Sequence, residues 1–126
     1  MKSSLPPPTS RETERIERMK VEIGCICCAL NNLTPTRHLE IHHLLVGGQR
    51  ASHWYSICLC WTHHQSRQGS GLWTSIAQGS KAFTKVHGSQ WDLWLKVQHV
   101  LQLDDELPPS KILPRRVCQL ASGSEK

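Results

Sequence analysis

Apolar and polar positions change their spacing several times along this chain, and the changes divide it into elements. Between Arg11 and Glu22 charges alternate while Ile16, Met19 and Ile23 recur at steps of three and four. That spacing predicts a short amphipathic helix with a narrow apolar stripe. Thr9 with Glu12, or Ser10 with Thr13, offers its N-cap, and the charges read as a solvated face. Gly24 to Cys28 reads as a tight knuckle, and residues 29–38, with Asn31-Asn32 and Thr34-Pro35, as a loop. Leu39 to Val46 is β-leaning and mostly apolar, Gly47-Gly48 turns the chain, and Tyr55 to Leu59 forms a second short strand. Cys60 opens a short helix running to about Gln68, which Gly69 to Gly71 breaks. Ser80 to Val86 is helical up to Gly88. Ser89, with Asp92 at the third position, then caps a longer helix whose apolar face is Trp91, Trp94, Leu95, Val97 and Leu101. At that spacing the two tryptophans read as core or subunit interface rather than a base-stacking platform, and dimerisation stays open.

The ends differ in composition from the middle. Residues 1–10 form a Pro/Ser-rich, disordered lead, and residues 104–126, with Pro108-Pro109, Lys111, Pro114, Arg115 and Arg116, form a tail. One domain spans 11–103, with a core over about 24–68 and a helical extension over about 79–103. A chain of 126 residues that is 38% hydrophobic, with one Phe and one Tyr, has a modest core that a structural metal would help to stabilise. The net charge of +5 suits phosphate-rich partners without requiring them. No run approaches the ~18 apolar residues of a membrane span. The opening MKSSLPPPTS lacks the apolar stretch of a secretory signal. The expected setting is therefore cytoplasmic, where Cys-x-x-Cys pairs accompanied by His favour metal over disulfide.

The metal spacing is specific. Cys25-x-x-Cys28 and Cys60-x-x-His63 offer the three thiolates and one imidazole of a structural zinc site. The second pair sits at the start of a helix, where positions i and i+3 share a face. Cys27, Cys58 and Cys118 are left over. Cys27 competes with Cys28, and Cys58 shares a strand face with Cys60, so either remains a candidate for the zinc.

Two histidine doublets flank this pattern, His42-His43 and His63-His64. On a helix His63 and His64 point about 100° apart. If His63 faces the zinc, His64 faces elsewhere and can approach His42 or His43. Two imidazoles can hold one divalent ion and a third can take a proton near neutral pH. Such a set serves phosphodiester hydrolysis, in which the ion neutralises charge developing on phosphate and leaving oxygen.

The segments CICC, EIHHLLVGGQRASH and ICLCWTHHQ, over residues 24–65, resemble the HNH or ββα-metal nuclease superfamily. They are more closely similar to the phage Ref-type recombination-enhancement nucleases, which act with the host recombinase RecA. The stretch SIAQGSKAF and the helix after it resemble the extension of small phage members. The resemblance implies an α+β fold: a small zinc-stabilised ββα-metal core with flanking helices. It implies His43 as general base, His42 and His64 as ligands of a catalytic Mg²⁺ or Mn²⁺, and Cys25, Cys28, Cys60 and His63 as the Zn²⁺ set. His53 and Arg50 fall on the connecting loop, where members orient the base or touch phosphate. The chain departs from the pattern at Gln68, where many members carry a second helix ligand, and at Tyr55, where many carry Asn. The long basic N-terminal arm of larger Ref-type members is here only a short helix.

The expected function is a metal-dependent DNA endonuclease of a phage or prophage, active in the bacterial host cell. Arg50, Arg67 and Lys81 are candidates for DNA phosphates, and the RecA filament for a partner. The alternative is a zinc-stabilised DNA- or protein-binding module without catalysis, which has no use for three converging histidines.

Overall fold

The computed structural model describes residues 5–50 and 52–103. The expected tail, with Cys118 and its basic residues, lies outside them. The described chain is α+β. Helix α1 (Ser10–Arg18) starts on a full capping box: Thr9 Oγ1 accepts from Glu12 N at 3.2 Å, and Thr9 N donates to Glu12 Oε1 at 2.8 Å. It passes into a π turn (Met19–Ile23). Residues 5–9, drawn from sequence as part of a disordered lead, make defined contacts here, through this cap and through the Pro6 carbonyl.

Helix α2 (Ile26–Asn31) replaces part of the loop expected over 29–38, with Cys25 as its N-cap. Strand β1 (Leu39–His43) pairs antiparallel with β4 (Ser56–Cys60), from Leu39 opposite Cys60 to His43 opposite Ser56. The single strand expected over Leu39–Val46 is divided. Leu44 leaves the ladder, buries its side chain and donates its N–H to Tyr55 O at 2.9 Å. Strands β2 (Leu45–Val46) and β3 (Gln49–Arg50) then form a separate exposed hairpin. Gly47 and Gly48 close it at φ 61° and 80°, the paired left-handed geometry that a two-residue hairpin turn requires.

Helix α3 (Trp61–Gln65) follows β4 without a gap and stops at Gln65, three residues short of the expected end. Two 3₁₀ turns (Gly71–Trp73 and Ile76–Gln78) lead to α4 (Ser80–His87) and α5 (Gln90–Val100). Ser89 caps α5 as expected, its Oγ accepting from Asp92 N at 3.0 Å. No helix of the described residues is long and apolar enough to cross a membrane.

β4 is the centre of the core. All five of its residues are buried, and α2, α3, α5 and the π turn pack on it. Trp94 is buried and Trp91 partly so, and both meet the buried Tyr55 with ring centroids at 5.4 and 5.3 Å. Tyr55 thus fills an aromatic cluster where the resemblance placed a polar residue.

Arg15 overturns the reading of α1 as a purely solvated charged face. It is 1% exposed, its Nε donates to Gln98 Oε1 at 2.7 Å, and its Nη1 to Ser56 O at 3.0 Å. The guanidinium also lies against the rings of Trp54 and Trp94, at 5.5 and 5.8 Å. Burial lowers its pKa to about 9, so it stays charged at neutral pH. Arg15 therefore pins α1 to β4 and α5 with charge-assisted hydrogen bonds. Arg15→Ala should cost about 3 kcal/mol, because it opens a cavity and strands the Gln98 and Ser56 acceptors. Lys20→Ala, which removes only a 3.9 Å surface pair with Glu17, should cost under about 0.5 kcal/mol. Denaturant melts of the two variants check this, and equal costs would return α1 to a solvated face.

Candidate metal centre and histidine cluster

The sequence converges most tightly at Cys25, Cys28, Cys60 and His63. All four are buried, and their ligand atoms lie within 4.8 Å of one another. The N-cap and third position of α2 supply Cys25 and Cys28, while the N-cap and third position of α3 supply Cys60 and His63. Each pair therefore uses one helical turn to aim two side chains the same way. The three sulfurs lie 3.3 to 3.5 Å from His63 Nδ1, and Cys28 Sγ lies 3.8 Å from Cys60 Sγ. A tetrahedron with Zn–S of about 2.3 Å and Zn–N of about 2.0 Å has edges of about 3.8 Å and 3.5 Å. The donor set fits, so these residues could hold a metal such as zinc.

The surroundings fix the ligands. His63 Nε2–H donates to Leu72 O at 2.8 Å, which leaves Nδ1 as the free lone pair. Trp73 stacks on the same ring at 4.8 Å, and His87 meets it edge-on at 5.2 Å. The loop that brings Trp73 in requires Gly69, where a Cβ would overlap the Trp73 carbonyl oxygen. Cys28 N–H points at Cys25 Sγ at 3.5 Å. Cys27, the competitor from sequence, stays outside the four. Its thiol donates to Cys25 and holds the Cys25 pKa down at about 3, while its own is pushed far up. Cys58 is buried in β4, also outside the four, and burial raises its pKa to about 12.

The other histidines separate into two pairs at the end of β1. His42 meets His64, with ring centroids 5.2 Å apart. His43 meets His53, at 4.9 Å. The doublet ends β1, so His42 turns toward α3 and His43 toward the loop, yet the two rings stay near enough that the charge of His42 lowers the His43 pKa.

Each ring has one nitrogen tied to protein. His42 Nε2–H donates to Gln90 Oε1 at 2.9 Å, and His64 Nδ1–H to Glu40 Oε1 at 2.6 Å. The His42 Nδ1 and His64 Nε2 lone pairs are left over, a donor pair suited to a divalent ion. Glu40 also accepts from His38 Nε2 at 2.5 Å and Gln65 Nε2 at 2.7 Å. Partial burial raises its pKa, but the hydrogen bonds from Gln65, His64 and His38 outweigh that and hold it at about 2.

On the loop side a relay runs outward. His53 Nε2–H donates to Pro6 O at 2.8 Å, so His53 Nδ1 accepts from His43 Nε2–H, also at 2.8 Å. His43 Nδ1 then keeps an open lone pair. Burial first, then the charges of His53, Arg50 and His42, lower the His43 pKa to about 4. Burial lowers that of His42 as well. Both rings are neutral at pH 7, the form that can accept a proton or bind an ion.

This pKa sets a pH dependence. The folded value of about 4 lies below the ordinary 6.5, so between these values the unfolded chain binds protons at this position that the folded chain refuses. The contribution is fully present above pH 6.5 and is lost as pH falls through about 4. Melting curves at about pH 7.5 and 5.5 should show wild type losing more stability than His43→Ala on acidification. Equal losses would mean that His43 titrates normally.

The remaining candidates are less tightly placed. Arg50, on β3, lies close enough for its charge to depress both His42 and His43. Arg67 and Lys81 are exposed, beyond α3 and in the first turn of α4. Gln68 is exposed and lies past the end of α3, so it does not continue the helix face of His64. Glu40, Gln90, Leu72 and Trp73 went unread in the sequence. Of these only Glu40 had a signal: it stands two residues before His42, on the same strand face.

The family model described as "Recombination enhancement, RecA-dependent nuclease" matches residues 8–102, well over half of the chain. No curated protein and no solved structure matches it. The matched span takes in the four buried metal-type ligands and both histidine pairs. With nearly every described residue inside that span, the chain belongs to the RecA-dependent nucleases of recombination enhancement.

Proposed function

We propose that this chain is an HNH-type, ββα-metal DNA endonuclease that hydrolyses phosphodiester bonds during phage or prophage recombination in the bacterial cytoplasm. One observation carries the reading: His42, His43 and His64 each have one nitrogen tied to protein and the other open. That is the preparation a base and a pair of metal ligands need. In the ββα unit, β1 and β4 supply the paired strands and α3 the helix.

Cys25, Cys28, Cys60 and His63 would hold a structural zinc, tying α2, β4 and α3 together. His42 Nδ1 and His64 Nε2 would hold the catalytic ion. A divalent ion bound there supplies charge neutralisation at the scissile phosphate. Two imidazoles suit Mn²⁺ better than Mg²⁺, which prefers oxygen donors. His43 Nδ1 takes the proton of the attacking water, and His53, itself fixed by Pro6, keeps the ring in the tautomer that can do so. Arg50 beside these rings meets the DNA phosphates, with Arg67 and Lys81 as outlying contacts.

The test is cleavage of supercoiled, single-stranded and RecA-paired DNA with Mn²⁺, with Mg²⁺ and with chelator. Cutting should require an ion and be fastest on the RecA-paired duplex. Binding without cleavage of any substrate, with either ion, would leave the non-catalytic zinc-stabilised module as the function.

A further inference from the structure

Arg37, in the loop between α2 and β1, plays no part in either histidine pair. It sits in the left-handed backbone region at φ 57°, a strained conformation for a long side chain. Its guanidinium carbon lies 4.1 Å from the ring centroid of Trp61, the first residue of α3. The loop is fastened on both sides of it. Thr36 Oγ1 hydrogen-bonds the Thr62 hydroxyl and lies 3.7 Å from Cys60 Sγ. His38 O accepts from Trp61 N at 3.0 Å, and His38 Nε2 donates to Glu40. Arg37 itself is exposed.

Among the described residues no carboxylate pairs with Arg37. Its guanidinium lies on the indole face, and the exposed side chain leaves its N–H edge to solvent. His64 follows Trp61 by one helical turn on the same face of α3. The stack thus borders the Glu40–His64 arm of the histidine cluster. A charged fork held on a rigid ring, beside a cluster suited to phosphodiester chemistry, has the form of an anion clamp.

We propose that Arg37, stacked on Trp61, grips a backbone phosphate of bound DNA on the Glu40 side of the histidine cluster, a few nucleotides from the bond addressed by His43. The clamp's location relative to the cut rests on the nuclease reading; its affinity for phosphodiester does not. A single phosphate contact carries no base preference and contributes close to one released counterion.

The test measures binding of a labelled duplex by anisotropy across a range of KCl, in the His43→Ala background so that the DNA stays intact. Adding Arg37→Ala should weaken binding about tenfold at low salt and reduce the slope of log affinity against log salt by about 0.9. Arg37→Lys should keep the slope but recover only part of the affinity, because an ammonium neither stacks flat nor forks. Inorganic phosphate exchanged for KCl at constant ionic strength should not displace the duplex; displacement would mark a free-anion site and overturn the assignment to DNA.

An unchanged affinity and slope in Arg37→Ala would overturn the clamp. So would a lowered melting temperature with an unchanged slope, which marks a purely structural stack. On cleavage, Arg37→Ala with His43 intact should raise KM and leave kcat at saturating DNA unchanged. If wild type fails to cut while the slope still falls, the nuclease reading fails and the clamp stands. If wild type cuts and the slope does not change, the clamp alone fails.

Discussion

Replacing His43 with alanine should slow Mn²⁺-supported nicking of supercoiled plasmid by about 10²- to 10⁴-fold, the range for loss of a positioned general base. Among the described residues none substitutes for it at that position. His53 points its Nδ1 toward His43, and its Nε2 is committed to the Pro6 carbonyl. His42 and His64 are committed on one side to Gln90 and Glu40 and would spend their other nitrogens on the ion. The variant should stay folded, because His43 is only half-buried at the end of β1 and lies outside the buried four-ligand group. His53→Ala should cause a smaller loss, since it frees the ring orientation but leaves the base in place. Single-turnover nicking of the three proteins, with zinc content and melting temperature as controls, decides the matter. Equal rates for wild type and His43→Ala would end the catalytic reading.

Withholding zinc should leave the chain without a cooperative melting transition, and restoring zinc should bring it back. Structural zinc contributes an apparent free energy of about 10–16 kcal/mol at neutral pH. That matches or exceeds the roughly 5–15 kcal/mol by which ordinary domains are stable. The position of Cys60 explains why so much rests on one ion. It ends β4, caps α3, and stands opposite Leu39 of β1. Cys25 packs at the start of α2 and Cys28 belongs to it, so without the ion three buried thiols repel one another once ionised, with only the His63 imidazole to offset them. Cys60→Ser should reproduce the effect. Circular dichroism and thermal melts with chelator, then with added zinc, provide the measurement. A cooperative transition at the same temperature in chelator would show that the core suffices alone.

Much of this is legible in the sequence. The two short motifs bring four buried Cys and His residues into one metal-type cluster by spacing, because a helical turn converts a separation of three into a shared face. The Gly47-Gly48 turn, the Thr9–Glu12 box and the Ser89 cap were equally readable, each being a local demand of backbone geometry met by residues close in sequence. Trp94 was readable as core from its helical spacing.

The failures have a common origin. Arg15 looked like one more charge on a solvated helix, because nothing in residues 11–22 reveals Gln98 or the Ser56 carbonyl. The extent of α3 was overread, because Gly69 marks where the chain must turn and not where hydrogen bonding stops at Gln65. The lead seemed disordered from composition, yet the Pro6 carbonyl anchors His53. Glu40 escaped notice because its partners, His38, His64 and Gln65, come from both sides of it in sequence.

The sequence by itself determined that four Cys and His residues should form one buried metal-type group, and that one histidine of the second doublet should turn away from it. Tertiary structure alone decided what each remaining histidine faces. The alternation of strand side chains sends His42 to His64 and His43 to His53. The partners that fix their tautomers arrive from Pro6, Glu40 and Gln90, spread over more than eighty residues of chain. Spacing encodes a site only while one element or one turn carries it; once ligands and their supports come from different elements, packing decides.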